Sequence, residues 1–278
     1  MELPASVLEK NRRFSCNEPK LADTAAPRVN ILGVAISAIC LDEATRMISK
    51  WIESGDRNYV NVCTVHTIME CQKNLELKRI VNRSGLSTPD GMPLVWLCHY
   101  YGKRNVTRVY GPDLLVSACA RSKGEGHRHF FYGGAPGVAE VLAQRLKRRF
   151  PGLIVAGAHS PPILAIGELE KPGIIDMING SNADIVWVGL GTPKQDYWVA
   201  QHRSLLKAPV LIAVGAAFDF LTGRLRQAPP WMQRRGLEWL FRLAKEPRRL
   251  AFRYMVYNPL FILYTLAQIS GLRRYPLL

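Results

Sequence analysis

Apolar residues come in short, nearly continuous runs. VNILGVAI (29–36), NYVNVC (58–63), HFFYGG (129–134), LIVAGA (153–158), DIVWVGLG (184–191) and PVLIAVGAAF (209–218) are rich in branched and aromatic side chains, as strands buried on both faces of a parallel sheet are. Between these runs the period changes. LDEATRMISKWIES begins a predicted helix at Leu41 or Asp42, and in GVAEVLAQRLKRRF the residues Val138, Val141, Leu142 and Leu146 keep helical spacing. The alternation predicts an α/β fold with a largely parallel sheet. In such sheets ligands lie at the carboxyl ends of the strands, beside helix N-termini.

The chain divides into three parts. Residues 1–27 are polar, end in AAP and show no sustained period, which predicts a mobile extension before an α/β core over 28–222. Residues 223–278 form a basic, aromatic-rich segment that reads as helical. The N-terminus has acids near its start and no apolar run of signal-peptide length. The uncharged stretch 254–272 is interrupted by Asn258, Pro259 and Gln268, and a spanning helix needs about 20 predominantly apolar residues.

Of the 278 residues, 48% are hydrophobic and 21% charged, ordinary for a folded protein. The charge changes the picture: 37 Lys and Arg against 22 Asp and Glu give +15, so an anionic partner is expected. The last fifth supplies +9 of this, with Glu238 and Glu246 its only acids. Six cysteines show no C-x-x-C pair and read as reduced thiols; they and the histidines give no metal-ligand spacing. No metal and no cofactor is expected.

Four stretches carry candidate chemistry. YGGAPGVAEVL follows a strand, and Gly133, Gly134 and Gly137 form either a phosphate cradle or simply a tight strand-to-helix turn. In STPDGMPLVWL, Asp90 is a helix cap or a general base; RVYGPDL adds Arg108 and Asp113, the latter with the same capping alternative. VGLGTPKQDYW closes another strand with Lys194 and Gln195, donors suited to phosphate or sugar oxygens or else solvated loop residues. Beyond Gly215, aromatics interleave with Arg234, Arg235, Arg242, Lys245, Arg248, Arg249 and Arg253. An RNA surface, a solvated helix face and an amphipathic segment on an anionic membrane compete here. The mixture of Trp, Phe and Tyr with Arg, followed by an uncharged run, favours the membrane surface, and no RNA-recognition motif accompanies the charge.

TPDGMPLVW, RVYGPDL, FFYGGAPGVAEVLAQRL, VGLGTPKQDYW and VGAAFDFLTGRLRQAPPWMQRRGLEWLFRLAKEPRR, in this order over about 29–253, together resemble the WecG/TagA/CpsF glycosyltransferases. The resemblance implies a Rossmann-like α/β core with a C-terminal helical, membrane-associating appendage. It also implies a metal-independent, inverting transfer from a UDP-sugar donor to a polyprenyl diphosphate-linked glycan, performed peripherally at the cytoplasmic face of the inner membrane. The family's base falls on Asp90 and its active-site threonine on Thr64 in NVCTVHT; His66 stands where many members have Asn and becomes a candidate sugar contact. The family glutamine maps to Gln195 and the appendage arginines to Arg242, Arg248, Arg249 and Arg253.

Members use UDP-N-acetylmannosamine, its uronic acid or glucose; the PDGMPLVWL variant is similar to exopolysaccharide members, which favours glucose or another hexose. The residues fit such chemistry on their own terms. One group must take the acceptor proton, as Asp90 can, and others must balance a diphosphate, as the arginines can, with or without Lys194. Against an oxidoreductase, the first strand runs into VAISAICLDEA without G-x-G-x-x-G. A noncatalytic nucleotide- or membrane-binding α/β protein would leave Asp90, Asp113 and 194–196 without a role. Truncation after Thr222 is expected to leave a folded core.

Overall fold

A computed structural model describes residues 26–162 and 173–278, so nearly all of the polar segment 1–27 lies outside the described residues. The described chain runs β1 (Arg28–Ile31), β2 (Val34–Ser37), α1 (Leu41–Ser54), β3 (Asn58–Cys63), α2 (Val65–Lys73), α3 (Leu75–Arg83), β4 (Leu86–Pro89), α4 (Met92–Tyr100) and α5 (Gly111–Glu125). It continues with β5 (Arg128–Gly133), α6 (Val138–Arg149), β6 (Ile154–His159), α7 (Ile174–Gly180), β7 (Ile185–Gly189), α8 (Lys194–His202), β8 (Val210–Ala213) and α9 (Ala217–Leu221). The C-terminal segment supplies α10 (Pro230–Arg234), α11 (Glu238–Lys245) and α12 (Pro247–Ile269).

The central sheet has six parallel strands in the order β4-β3-β8-β7-β5-β6. Strand side chains alternate between faces. Phe131, Trp187 and Ile212 accordingly pack with Ile48, Leu115 and Leu142, while their neighbours Phe130, Val186 and Leu211 pack with Ile178, Trp198 and Val199. Covering both faces is what lets the strands read as continuous apolar runs, and the α/β class follows from it.

Two expectations change in detail, and one strand is added. Residues 29–36 form a hairpin, not one strand: Leu32 and Gly33 take φ of 53° and 79°, and β1 and β2 pair antiparallel. The apolar run from 209 leaves the sheet at Ala213 and turns into α9. β4, with sequence LSTP, carries polar side chains yet is fully buried, because Ser87 bonds Ser84 Oγ at 2.8 Å and its amide donates to Ser37 Oγ at 3.0 Å.

α12 is fastened to the rest. Tyr257 and Phe261 complete an apolar cluster with Ile31, Ile36, Ile68 and Leu94. Gln268 accepts from the Leu32 amide at 2.9 Å and donates to the Asn30 carbonyl at 3.0 Å. Truncation after Thr222 would therefore uncover that cluster. Among the described residues no helix is long and apolar enough to cross a membrane. Cys63, Cys71, Cys98 and Cys119 are free and buried, whereas Cys40 is disulfide-bonded; the expectation of six reduced thiols is corrected there, since no pairing spacing in the sequence marks that bond.

Candidate active site

The ends of β4, β3, β8 and β7, four neighbours in the sheet, open into a cleft of about 830 Å³ roofed by α11 and α12. Residues from the first turns of α2, α4, α8 and α9 line it, so several helix N-termini face the same space, an arrangement suited to anions.

Asp90 follows the last residue of β4, and its amide donates to the Cys63 carbonyl at 2.9 Å while Val109 donates to the Pro89 carbonyl at 2.9 Å. These main-chain bonds fix the carboxylate at the sheet edge. Arg108 engages it through Nη2 at 2.9 Å and Nε at 3.1 Å, both on Oδ1. Oδ2 is the oxygen that Arg108 leaves unengaged. Burial pushes the Asp90 carboxyl from 3.8 up to about 6; Arg108 opposes that rise and Glu238 adds to it. A carboxyl near 6 holds and releases a proton close to neutral pH, which is what a general base requires.

Glu238 opens α11 and accepts from Arg108 Nη2 at 2.7 Å. Burial works against the Arg108 cation, but Asp90 and Glu238 together hold its pKa above the ordinary value. The guanidinium also lies 4.0 Å over the Tyr110 ring.

Thr64 caps α2, its Oγ1 accepting from the Thr67 amide at 3.4 Å. His66, in the first turn of that helix, stacks on Tyr257 with ring centroids 5.6 Å apart. Burial, helped by Arg253, pushes its imidazole down to about 4, so the ring is neutral. Gln195 is buried, and its Oε1 accepts from the amides of Gly191 at 3.1 Å and Gly215 at 2.8 Å. It thereby braces the loops after β7 and β8. Its neighbour Asp196 sits beneath the site, accepting from Asn61 at 2.6 Å, and burial pushes it up to about 6.

From the appendage, Arg242, Arg249 and Arg253 reach the cleft. Burial first, then Arg249 and Arg242, lower the Arg253 guanidinium below its ordinary range, and Arg242 Nε is buried without a hydrogen-bond partner among the described residues. Cations that disfavour one another in a half-buried space suit a polyanionic guest. Arg249 is partly compensated by Glu246 at 2.6 Å.

The cleft thus brings together Thr64, His66, Asp90, Arg108 and Gln195 from the core with these three arginines. It does not bring in Asp113, Lys194, Arg248, Gly133 or Gly134. Asp113 lies in the first turn of α5, Lys194 begins α8 and Arg248 is exposed. The glycines have packing reasons: a Cβ on Gly133 would lie 2.7 Å from the Gly189 carbonyl, and one on Gly134 would lie 2.8 Å from Val138. Sequence reasoning did not single out Glu238, Tyr110, Tyr254 or Tyr257 as site residues; only Glu238 carried a signal, as one of two acids within a basic, aromatic segment. Among the described residues no group of three or more His, Cys, Asp or Glu is placed to hold a metal.

A parallel α/β sheet whose strand ends carry a buried carboxyl under a roof of arginines defines a class of protein that the comparisons make specific. The family model for the glycosyl transferase WecG/TagA/CpsF family matches residues 29–275, and the chain belongs to this family; it is a glycosyltransferase. Its relatives include the N-acetylglucosaminyldiphosphoundecaprenol N-acetyl-beta-D-mannosaminyltransferase of Bacillus spizizenii, 30% identical over 193 residues, which are 69% of this chain and 72% of the relative.

Proposed function

We propose that this glycosyltransferase moves a sugar from a UDP-sugar, with inversion, to a polyprenyl diphosphate-linked glycan at an anionic membrane surface, in the synthesis of a bacterial surface polysaccharide. The observation that carries the reading is the convergence of Asp90 with Arg242 and Arg253 on one cleft. In the step, the acceptor hydroxyl oxygen attacks the anomeric carbon as the bond to the UDP β-phosphate oxygen breaks. The hydroxyl proton passes to Asp90, and the bonding pair leaves with UDP, whose charge the arginines and helix amides balance. Arg108, Gln195 and Thr64 hold the frame of the site, and neutral His66 faces the sugar. The relative's name supports an acceptor bearing N-acetylglucosamine and adds N-acetylmannosamine to the donors worth testing.

The membrane component rests on α12. Phe252, Met255, Leu263 and Leu266 are 73%, 68%, 59% and 57% exposed and share one face at helical spacing. Leu266 also lines the rim of the cleft, so a polyprenyl tail can remain in lipid while its head enters. Exposed Arg248 stands before this face and exposed Arg273 and Arg274 after it, as expected for a helix on anionic lipid.

The test is transfer from UDP-glucose, UDP-N-acetylmannosamine and its uronic acid to a synthetic polyprenyl diphosphate-linked N-acetylglucosamine, with product configuration read by NMR. One donor transferred with inversion is the expected result. Transfer with retention, or failure of the protein to bind UDP, overturns the reading.

A further inference from the structure

Arg108 is shared. Its Nη2 donates at 2.9 Å to Asp90 and at 2.7 Å to Glu238. Asp90 comes from the sheet and Glu238 from the appendage. The three side chains are 12%, 15% and 17% exposed for Asp90, Glu238 and Arg108, so one largely desolvated cation serves two largely desolvated anions. An acid placed there is costly, and a neutral side chain able to accept from Arg108 would latch the appendage as well. A carboxylate does something a neutral latch cannot: it competes for the guanidinium charge.

We propose that Glu238 is a positioning residue for the base: by drawing on Arg108 when the appendage is docked, it leaves Asp90 a stronger proton acceptor than a one-to-one ion pair would. The proposal rests on Asp90 being the base. Its consequence is that base strength and appendage docking are one event. With α11 displaced, Arg108 belongs to Asp90 alone and weakens it.

Arg108 and Tyr110 come from the segment leading into α5, Asp113 from α5 and Cys63 from the end of β3. Tyr254 of α12 lies near Glu238. For Asp90, burial is the largest influence and raises its pKa; Glu238 and Asp113 raise it further, while Arg108 lowers it. Removing the Glu238 charge therefore moves Asp90 downward, and the acidic limb of activity moves to lower pH.

The test uses the full chain with Glu238→Gln, which keeps an oxygen to accept from Arg108. Asp90 is titrated by carbon-13 NMR, assigned by its loss in Asp90→Asn, and the pH profile of kcat/KM is measured in parallel. The expected result is a midpoint lower by about one pH unit, with kcat down about 3- to 10-fold because the base is weaker and donor KM changed by less than about 2-fold. Glu238→Asp, which keeps the charge on a shorter arm, is expected to show a smaller displacement of the same sign, and it carries the test should Glu238→Gln not fold. An unmoved Asp90 midpoint with a raised donor KM would make Glu238 a latch only and overturn the proposal. A moved titration with an unmoved rate profile overturns instead the assignment of Asp90 as base.

Discussion

The two halves of the cleft are built differently. On the core side every residue of β4 and β8 is buried, and Asp90, Thr64 and Gln195 are held by hydrogen bonds to the backbone or from it. On the appendage side, α10 and α11 bury no residue at all, and the side chains that reach the cleft include the long, cationic Arg242, Arg249 and Arg253. The difference suits the roles proposed above. Fixed geometry belongs where a proton must be taken from one place, and a flexible set of charges belongs where a mobile diphosphate must be gripped and released.

The contrast can be broken first at the base. Asp90→Asn should lower turnover by about 100-fold or more. In the parent protein kcat/KM should rise with pH through about 6, because on the proposed reading Asp90 must lose its proton to act, and burial raises its carboxyl to that value. Near-normal turnover in Asp90→Asn would remove the base from the sheet edge. On the other side, Arg242→Ala with Arg253→Ala should reduce kcat/KM for the donor by about 10- to 100-fold, two charged hydrogen-bonding groups being lost, while leaving the acidic limb in place. Gln195→Ala should act on the fold instead: two loop amides lose their acceptor, and the urea midpoint should fall by the equivalent of about 1–3 kcal/mol. An unchanged midpoint would show that the brace is not needed. The smallest effect on chemistry is expected from Phe252→Glu with Met255→Glu, which should abolish sedimentation with anionic vesicles yet leave transfer to a short, soluble acceptor within about 2-fold, since surface changes away from the site are near neutral.

Much of the core side was legible because its signals are local. A strand followed by G-T-P-K-Q marks a sheet end by period and turn chemistry alone, and P-D-G marks a turn before an apolar run. The structure adds that Gln195 spends its oxygen on the backbone and that Asp196 lies below the cleft. β4 was not legible, since Ser87 is a core residue only by virtue of partners at Ser37 and Ser84. The glycines of YGGAPG advertise close approach, but what approaches Gly133 is β7, which no local pattern distinguishes from a phosphate. Glu238 shows the limit most clearly: its meaning depends on an arginine 130 positions earlier, and in its own neighbourhood it is one acid among arginines.

The division of labour is tested most directly by calorimetric titration of UDP into the parent protein, Asp90→Asn and Arg253→Ala. The account predicts unchanged affinity in Asp90→Asn and affinity weaker by about 10-fold in Arg253→Ala, one charged contact being lost. UDP binding lost with Asp90 and kept without Arg253 would contradict it.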